Sequence, residues 1–167
     1  SSDESGSVRS RAVGLVQESG EKARGVWLVD LLCIGEMVID FLPGSEPGSY
    51  LRNAGGAPAN VAIAAKRNGA SAAFLGMMGN DDFGRFLVAT LEENGVEVAL
   101  KRLTDDAVTT MTFVTLGKDG ERSFTFVRKP GADMLLTPAD IRPEVVDAAT
   151  IVHIGSCSLP RSPSAEA

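Results

Sequence analysis

Few side chains of this sequence could do chemistry, and Asp40 is the most informative carboxylate among them. It follows the apolar run "GEMVI" at the predicted end of a buried strand, where the ligands of open α/β sheets bind. A carboxylate in that place can accept hydrogen bonds from the vicinal hydroxyls of a sugar. It could equally cap a loop or pair with a basic side chain, and position alone does not choose between these roles.

A second group of candidates lies in "NAGGAPANVAIAAKRNGA", residues 53–70, where two adjacent glycines precede an alanine-rich segment. Gly55 and Gly56 would let a ligand approach the backbone amides closely, because glycine has no side chain. Asn60 lies in the first turn of the helix predicted here. It could cap that helix, as asparagine commonly does, or it could direct its amide across the glycine pair at a polar ligand.

Two further polar side chains are open to a structural and a chemical interpretation. Arg128 ends a predicted hairpin, and an arginine at a strand end is more often a solvated surface group than a ligand contact. His153 is the single histidine of the chain, lies in an apolar run and is predicted to be a core residue. No metal-spaced partner accompanies it, and the serines and threonines have no second histidine with which to form a hydrolase triad.

Two nucleotide-binding motifs do not match the glycine-containing segments of the sequence. The dinucleotide motif G-x-G-x-x-G is absent, since Gly55 and Gly56 are adjacent. The segment "GNDDFGRF", residues 79–86, has the glycine spacing of a Walker A loop. However, Arg85 and Phe86 stand where that loop needs a lysine and a hydroxyl residue. Two aspartates inside the segment would also repel a phosphate.

The elements that would position these residues alternate between strand and helix. Apolar runs of strand length predict strands buried on both faces, and amphipathic stretches predict helices, the second capped by Asp81 or Asn80. This order implies a parallel sheet covered by helices. A period-two pattern around "KDG" adds a β-hairpin, which often covers a ligand site. The predicted elements are the strand "VWLVDLLCIGE" extended by "MVIDFLP", a returning strand "SYLRN", a helix at 58–68, the strand "SAAFLGMMG", the helix "NDDFGRFLVATLEENG", the hairpin, a short helix in "TPADIRPEVVDAA", and the strand "TIVHIGSCSL".

Composition limits the class of protein. The chain has 167 residues, of which 44% are hydrophobic and 23% charged, as in a globular protein with one domain. A net charge of −6 argues against a nucleic-acid-binding surface, and the longest apolar run is too short to cross a bilayer. Cys33 and Cys157 lie in apolar stretches and are predicted to be buried thiols. Residues 1–25, rich in serine, glycine and mixed charge, predict a mobile tail before a folded domain at 26–167.

Several of these motifs together resemble the ribokinase-like carbohydrate kinases, and most closely their fructokinase branch. "CIGEMVIDFLP" is similar to the family's first strand and sugar-binding aspartate, "NAGGAPANVAIAAKRNGA" to its N-terminal signature, and "FLGMMGNDDFG" to its second glycine-containing block. "TFVTLGKDGERSFTFVRKPGADMLL" and "VHIGSCSL" resemble the segments that follow. The resemblance runs from about Leu31 to the end. It implies a ribokinase-like three-layer α/β fold, with helices on both faces of the sheet and a small β-lid.

The resemblance also implies an activity and a set of binding residues. A member of this branch phosphorylates fructose in the cytoplasm with ATP and Mg²⁺, and its lid strands often pair two subunits into a homodimer. Val38 and Ala57 stand where the ribokinase subgroup has Asn and Lys, which counts against ribose as the substrate. Neither a nucleic acid nor a membrane is expected as a partner. The residues that the resemblance implies bind the sugar are Asp40, Gly55, Gly56, Asn60, Phe126 and Arg128.

One motif of the family is missing from the sequence. The G-A-G-D motif, which carries the catalytic base and the anion hole, does not occur. We therefore assign no catalytic residue. We expect a fold truncated at its C-terminal side, which alone binds sugar weakly at best and transfers no phosphate. The alternative is a non-catalytic sugar-binding or interaction module of the same descent. A generic nucleotide-binding α/β domain is disfavoured, because the phosphate-binding loops are absent.

Overall fold

The computed structural model describes residues 28–100, 102–117, 119 and 121–167. The tail predicted at 1–25 lies outside these residues. The described residues form two four-stranded sheets, one parallel and one mixed. The strands are β1 (Val29–Ile34), β2 (Val38–Pro43), β3 (Tyr50–Gly55), β4 (Ala72–Leu75), β5 (Glu97–Val98), β6 (Met111–Leu116), β7 (Arg122–Val127) and β8 (Ala149–Ile154), and the α-helices are α1 (Ala57–Arg67), α2 (Asp82–Glu93) and α3 (Pro143–Asp147).

The parallel sheet has the strand order β5-β4-β1-β8 and follows the apolar runs of the sequence. Its central strands are buried on both faces, as a parallel sheet between helices requires. On one face Cys33 and Phe74 pack in a core with α1 and α2. On the other face Leu32 and Leu75 pack in a core that includes Val145 of α3. The predicted parallel sheet with covering helices is therefore confirmed.

Helices α1 and α2 begin and end at residues that the sequence marks. α1 starts directly after Gly56, has Pro58 in its first turn, and is followed by Gly69 at φ +91°. The side chain of Asp81 caps α2 by accepting a hydrogen bond of 2.7 Å from the backbone nitrogen of Gly84, so this aspartate is the predicted cap. None of the helices in the described ranges is both long enough and apolar enough to span a membrane.

The mixed sheet, called the lid sheet below, has the strand order β3-β2-β6-β7. β2 pairs antiparallel with β3 and parallel with β6, and β6 and β7 form the predicted hairpin. The prediction that "MVIDFLP" extends the first strand is wrong. β1 ends at Ile34, the backbone turns at Gly35 with φ +145°, and β2 joins the other sheet. Glycine permits this change of direction, because a side chain is strained at such a φ.

One face of the lid sheet packs on helix α2 through aromatic side chains. Phe41 of β2 stacks on Phe113 of β6 at 4.8 Å between ring centroids and meets Phe83 of α2 edge-on at 5.8 Å. The Arg52 guanidinium of β3 lies 3.9 Å from the ring centre of Phe86. Such pairs each contribute about 0.5–1.5 kcal/mol beyond area burial. These contacts hold the lid sheet against α2. The alternate residues of each lid strand lie on the opposite face of the sheet, away from α2.

The last strand, β8, is more exposed than its apolar sequence predicts. Ile151 and Ile154 are 59% and 56% exposed, because β8 is an edge strand that pairs only with β1 among the described strands. His153 is accordingly half-buried, and Cys157 just beyond the strand is exposed. The predictions of a core histidine and of a second buried thiol are therefore wrong. Cys33 is buried as predicted, and burial raises the pKa of its thiol to about 11.

Candidate functional site

A cavity of about 160 Å³ opens on the face of the lid sheet that points away from α2. Its walls come from alternate residues along β2, β6 and β7, as the period of a strand requires. Its volume is smaller than the roughly 300–1,000 Å³ of complete ligand pockets, so these residues form part of a site. Of the predicted sugar-binding residues, the ones that line this cavity are Asp40, Gly56, Phe126 and Arg128.

Asp40 lies half-buried in the cavity wall, in the middle of the lid sheet. It pairs across the backbone with Asn53 of β3 and Thr112 of β6, so it is not at the end of a buried strand as the sequence suggested. Burial raises the pKa of the Asp40 carboxyl, and the nearby Thr112 hydroxyl partly offsets this effect. That hydroxyl forms no hydrogen bond of regular geometry. Among the described residues, Asp40 forms no ion pair.

The glycine pair is required by close packing around Asp40 and the start of α1. A Cβ on Gly55 would lie 2.0 Å from Oδ2 of Asp40, so any other residue at this position would force the Asp40 carboxylate to move. Gly56 has φ +108°, and a Cβ there would lie 2.5 Å from the backbone oxygen of Glu36. Gly55 is buried beneath the carboxylate, whereas Gly56 reaches the cavity surface. The pair thus makes room for the Asp40 carboxylate and for a close approach of α1.

Asn60 is the predicted binding residue that lies farthest from this arrangement. It is exposed on α1, and its backbone nitrogen donates a hydrogen bond of 3.0 Å to the oxygen of Gly56. Gly56 occupies the cap position of that helix, so Asn60 is not the cap. Asn60 is not among the residues that line the cavity, and its contact with a sugar stays a prediction.

Arg128 is held in the cavity wall by a buried carboxylate that sequence reasoning missed. Its guanidinium forms a close ion pair with Asp133, whose side chain is 1% exposed, and a hydrogen bond of 3.0 Å to the backbone oxygen of Cys157. Asp133 also accepts a hydrogen bond from the hydroxyl of Thr110. Arg128 is therefore an ordered donor at the cavity, and the alternative of a freely solvated surface arginine is excluded. The signal that could have found Asp133 is an acidic residue in the short apolar stretch "GADMLL".

Aromatic side chains form the open side of the cavity. Phe124 and Phe126 of β7 have ring centroids 6.5 Å apart and are 55% and 57% exposed. Phe126 pairs across the backbone with Thr112, and Thr112 pairs with Asp40. A carboxylate on β2 and an aromatic side chain on β7 thus lie on one face of the lid sheet, with β6 between them. This combination suits a ring with hydroxyl groups on its edge and carbon atoms on its face.

Two other features of the described residues do not provide a competing site. A larger cavity, of about 400 Å³, lies at the far end of the lid sheet beside the loop at 44–49. The Ser49 hydroxyl there already donates to the backbone oxygen of Glu46 at 2.7 Å. Across the ranges described, Asp, Glu, His and Cys side chains form no group of three or more suited to a metal ion. The described residues alone therefore do not fit Mg²⁺.

Comparison with known proteins identifies the family of the chain. Residues 29–167 match the model of the pfkB family of carbohydrate kinases. Over 139 residues the chain is 46% identical to fructokinase-1 of Zea mays and to probable fructokinase-3 of Arabidopsis thaliana, and each match covers 80% of this chain. The solved structure of fructokinase from Xylella fastidiosa matches 81% of the chain with a TM-score of 0.75 and 41% identity.

The match covers only part of each relative. The chain spans 43% of the length of the maize protein, 40% of the Arabidopsis protein and 43% of the Xylella chain. A fructokinase from Vibrio cholerae O395, solved with fructose, ADP and calcium ion, matches with a TM-score of 0.70 and 35% identity, over 44% of its length. The fold is ribokinase-like, as the sequence predicted. The chain belongs to the pfkB family of carbohydrate kinases.

Proposed function

We propose that the protein carrying this chain is an ATP-dependent kinase that phosphorylates fructose, and that this chain supplies the sugar-binding part. The observation that carries the proposal is the cavity in which the Asp40 carboxylate, the ordered Arg128 guanidinium and the Phe126 ring meet. The maize, Arabidopsis and Xylella relatives described above are named as fructokinases, which supports fructose as the substrate.

Each residue of the site has a definite part in holding the sugar. Asp40 accepts hydrogen bonds from hydroxyl groups, and Arg128, fixed by Asp133, donates to a sugar oxygen. Phe126 covers the carbon face of the ring. Gly55, Gly56 and Asn60 shape the side of the site next to α1. Holding the acceptor hydroxyl in one orientation is a large part of catalysis in phosphoryl transfer, which depends mainly on positioning and charge stabilisation.

ATP is the proposed phosphate donor, supported by a fructokinase of Xylella fastidiosa that was solved with bound ATP. When bound, Mg²⁺ would neutralise charge on the phosphates. No catalytic residue is assigned to this chain, because its sequence lacks the G-A-G-D motif of the family. We further propose a homodimer formed through the lid strands, supported by the exposure of all six residues of β7.

The test is an ADP-release assay with a panel of sugars, run on this chain and on the full-length product of its gene. We expect the full-length product to turn over fructose in preference to ribose and to require Mg²⁺. We expect the 167-residue chain to be inactive. Turnover by this chain would refute the assignment of catalysis to other residues. Fructose binding by a full-length product that never turns over would favour the non-catalytic module, and another preferred sugar would refute fructose.

A further inference from the structure

A second carboxylate lines the cavity, and no described residue pairs with it. Glu36 follows β1 and is 6% exposed. Its Oε2 atom is buried and has no hydrogen-bond partner among the described residues. Arg128, the cation that lines the same cavity, is already bonded to Asp133. A buried carboxylate oxygen without a partner is strongly unfavourable, so this oxygen indicates a donor that comes from outside the described residues.

The Glu36 side chain is held in a narrow slot. A Cβ on Gly155 would lie 2.6 Å from Oε2 of Glu36 and 2.4 Å from Cγ of Pro58. The slot between Pro58 and Gly155 therefore has no spare room. The backbone of Glu36 is equally confined, since a Cβ on Gly56 would lie 2.5 Å from its oxygen. These contacts place the Glu36 carboxylate against the start of α1, beside the cavity that it lines.

Glu36 and Asp40 reach the cavity from different sheets. Glu36 stands at the end of a strand of the parallel sheet, whereas Asp40 belongs to β2 of the lid sheet. The turn at Gly35 separates the two sheets. A ligand that donates hydrogen bonds to both carboxylates would span the junction, and it needs O–H donors directed at two walls. A polyhydroxylated sugar has such donors, because each of its hydroxyl groups can donate one hydrogen bond.

We propose that Glu36 is a second hydroxyl acceptor for the sugar, acting together with Asp40 from the opposite side of the cavity. The inference rests on the proposed function and deepens it. It makes Glu36 a determinant of substrate choice, because a sugar without the hydroxyl that faces Glu36 would leave the buried oxygen unpaired. Sites that hydrogen-bond a substrate hydroxyl discriminate strongly against analogues that lack it.

The test uses Glu36→Gln in the full-length product, with Glu46→Gln in the exposed loop as the matched control. We expect the Michaelis constant for fructose to rise about tenfold to a hundredfold, the range for a hydrogen bond to a charged group, with the constant for ATP unchanged. The melting temperature should not fall, because an amide is easier to bury than an unpaired carboxylate. Glu36→Asp, which keeps the charge on a shorter side chain, should lose part of the affinity.

Deoxyfructose analogues identify the direct contact. In the wild type one analogue should bind much more weakly than fructose, and in Glu36→Gln the same analogue should show little further loss, as in a double-mutant cycle. An unchanged Michaelis constant, or an equal further loss with every analogue, would overturn the proposal. These failures differ from failure of the proposed function, in which the wild type itself neither phosphorylates nor binds a sugar. That outcome would overturn both.

Discussion

At the scale of single residues, Asp40 illustrates how a binding site departs from what stability alone would select. Burial raises the pKa of its carboxyl, which means that the folded protein holds the charged form less favourably than water does. Among the residues described here, none forms an ion pair with it. A carboxylate that is kept partly desolvated without a partner is available for a ligand.

Replacing Asp40 by Asn should separate binding from stability. We expect Asp40→Asn to raise the Michaelis constant for fructose about tenfold to a hundredfold in the full-length product, because a charge-assisted hydrogen bond is lost. The free energy of unfolding at pH 7 should stay equal or rise, since the neutral amide is easier to bury. Steady-state kinetics and urea denaturation measure the two effects, with Asp147→Asn on the exposed side of α3 as the control. Wild-type kinetics in Asp40→Asn would refute the assignment.

The same residue gives the sign of a pH effect. In the proposed site the ionised form of Asp40 accepts hydrogen bonds from the sugar, and the pKa of Asp40 lies above the ordinary value of about 3.9 for an aspartate. As the pH falls, Asp40 should therefore become protonated, and fructose affinity should be lost, at a higher pH than the one at which an exposed aspartate is protonated. In Asp40→Asn this part of the pH profile should disappear. A profile identical to that of the wild type would show that another group titrates.

The sequence could predict Asp40, Phe126 and Arg128 as neighbours, because strand periodicity and the family motifs mark them. An acidic residue in the apolar stretch "GADMLL" was a signal for Asp133, but its contacts with Arg128 and Thr110 could not be predicted, because they arise only when the segment after β7 folds back. Motif and composition do not identify the partners of such a side chain.

At the scale of elements, Asp81 joins the start of α2 to the residues before β6. Its carboxylate accepts hydrogen bonds from the Gly84 nitrogen at 2.7 Å and from the nitrogen and hydroxyl of Thr109, each at 2.8 Å. Burial opposes the charge, but these hydrogen bonds outweigh it and lower the pKa of Asp81. Asp81 therefore contributes both a helix cap and a link between two elements.

Asp81→Asn should destabilise the fold by about 1–3 kcal/mol at pH 7. The carboxylate accepts hydrogen bonds through both oxygens, whereas the amide would place its NH₂ group against one of the N–H or O–H donors. A lowered pKa in the folded state means that this stabilisation is complete above the unfolded pKa of about 3.9 and is lost as the pH falls through the folded pKa. In urea denaturation, the free energy of unfolding of Asp81→Asn should thus differ most from that of the wild type near neutral pH. The difference should be smaller below about pH 4. Asp82→Asn is the control, since that side chain is 94% exposed. Equal effects in both variants would contradict the cap.

The elements themselves could largely be predicted, because helix caps, glycine stops and hydrophobic periods are local. The division between β1 and β2 could not, since an apolar run does not reveal that its two halves belong to different sheets and Gly35 is the single local sign. The exposure of Ile151 and Ile154 could not be predicted from the sequence either, because their burial depends on which strands flank β8.

At the scale of the whole molecule, the described residues form a body and a lid joined by one packed face. Phe41 and Arg52 hold the lid sheet on α2, whereas its other face bears the cavity. β7 ends the lid sheet with every residue exposed, including Phe124 and Phe126 at 55% and 57%. An exposed edge strand with apolar side chains pairs readily with another strand, and a second copy of this chain offers the same edge.

The full-length product should therefore be a dimer, with its lid strands in contact. Thr125→Lys, in the middle of β7, should convert it to a monomer, since a charge on an edge strand opposes pairing. Light scattering after gel filtration, over a range of protein concentration, measures the mass. Ala64→Lys, at an exposed position of α1, is the matched control and should leave the dimer intact. A monomeric wild type, or dissociation by the α1 variant alone, would refute an interface at the lid.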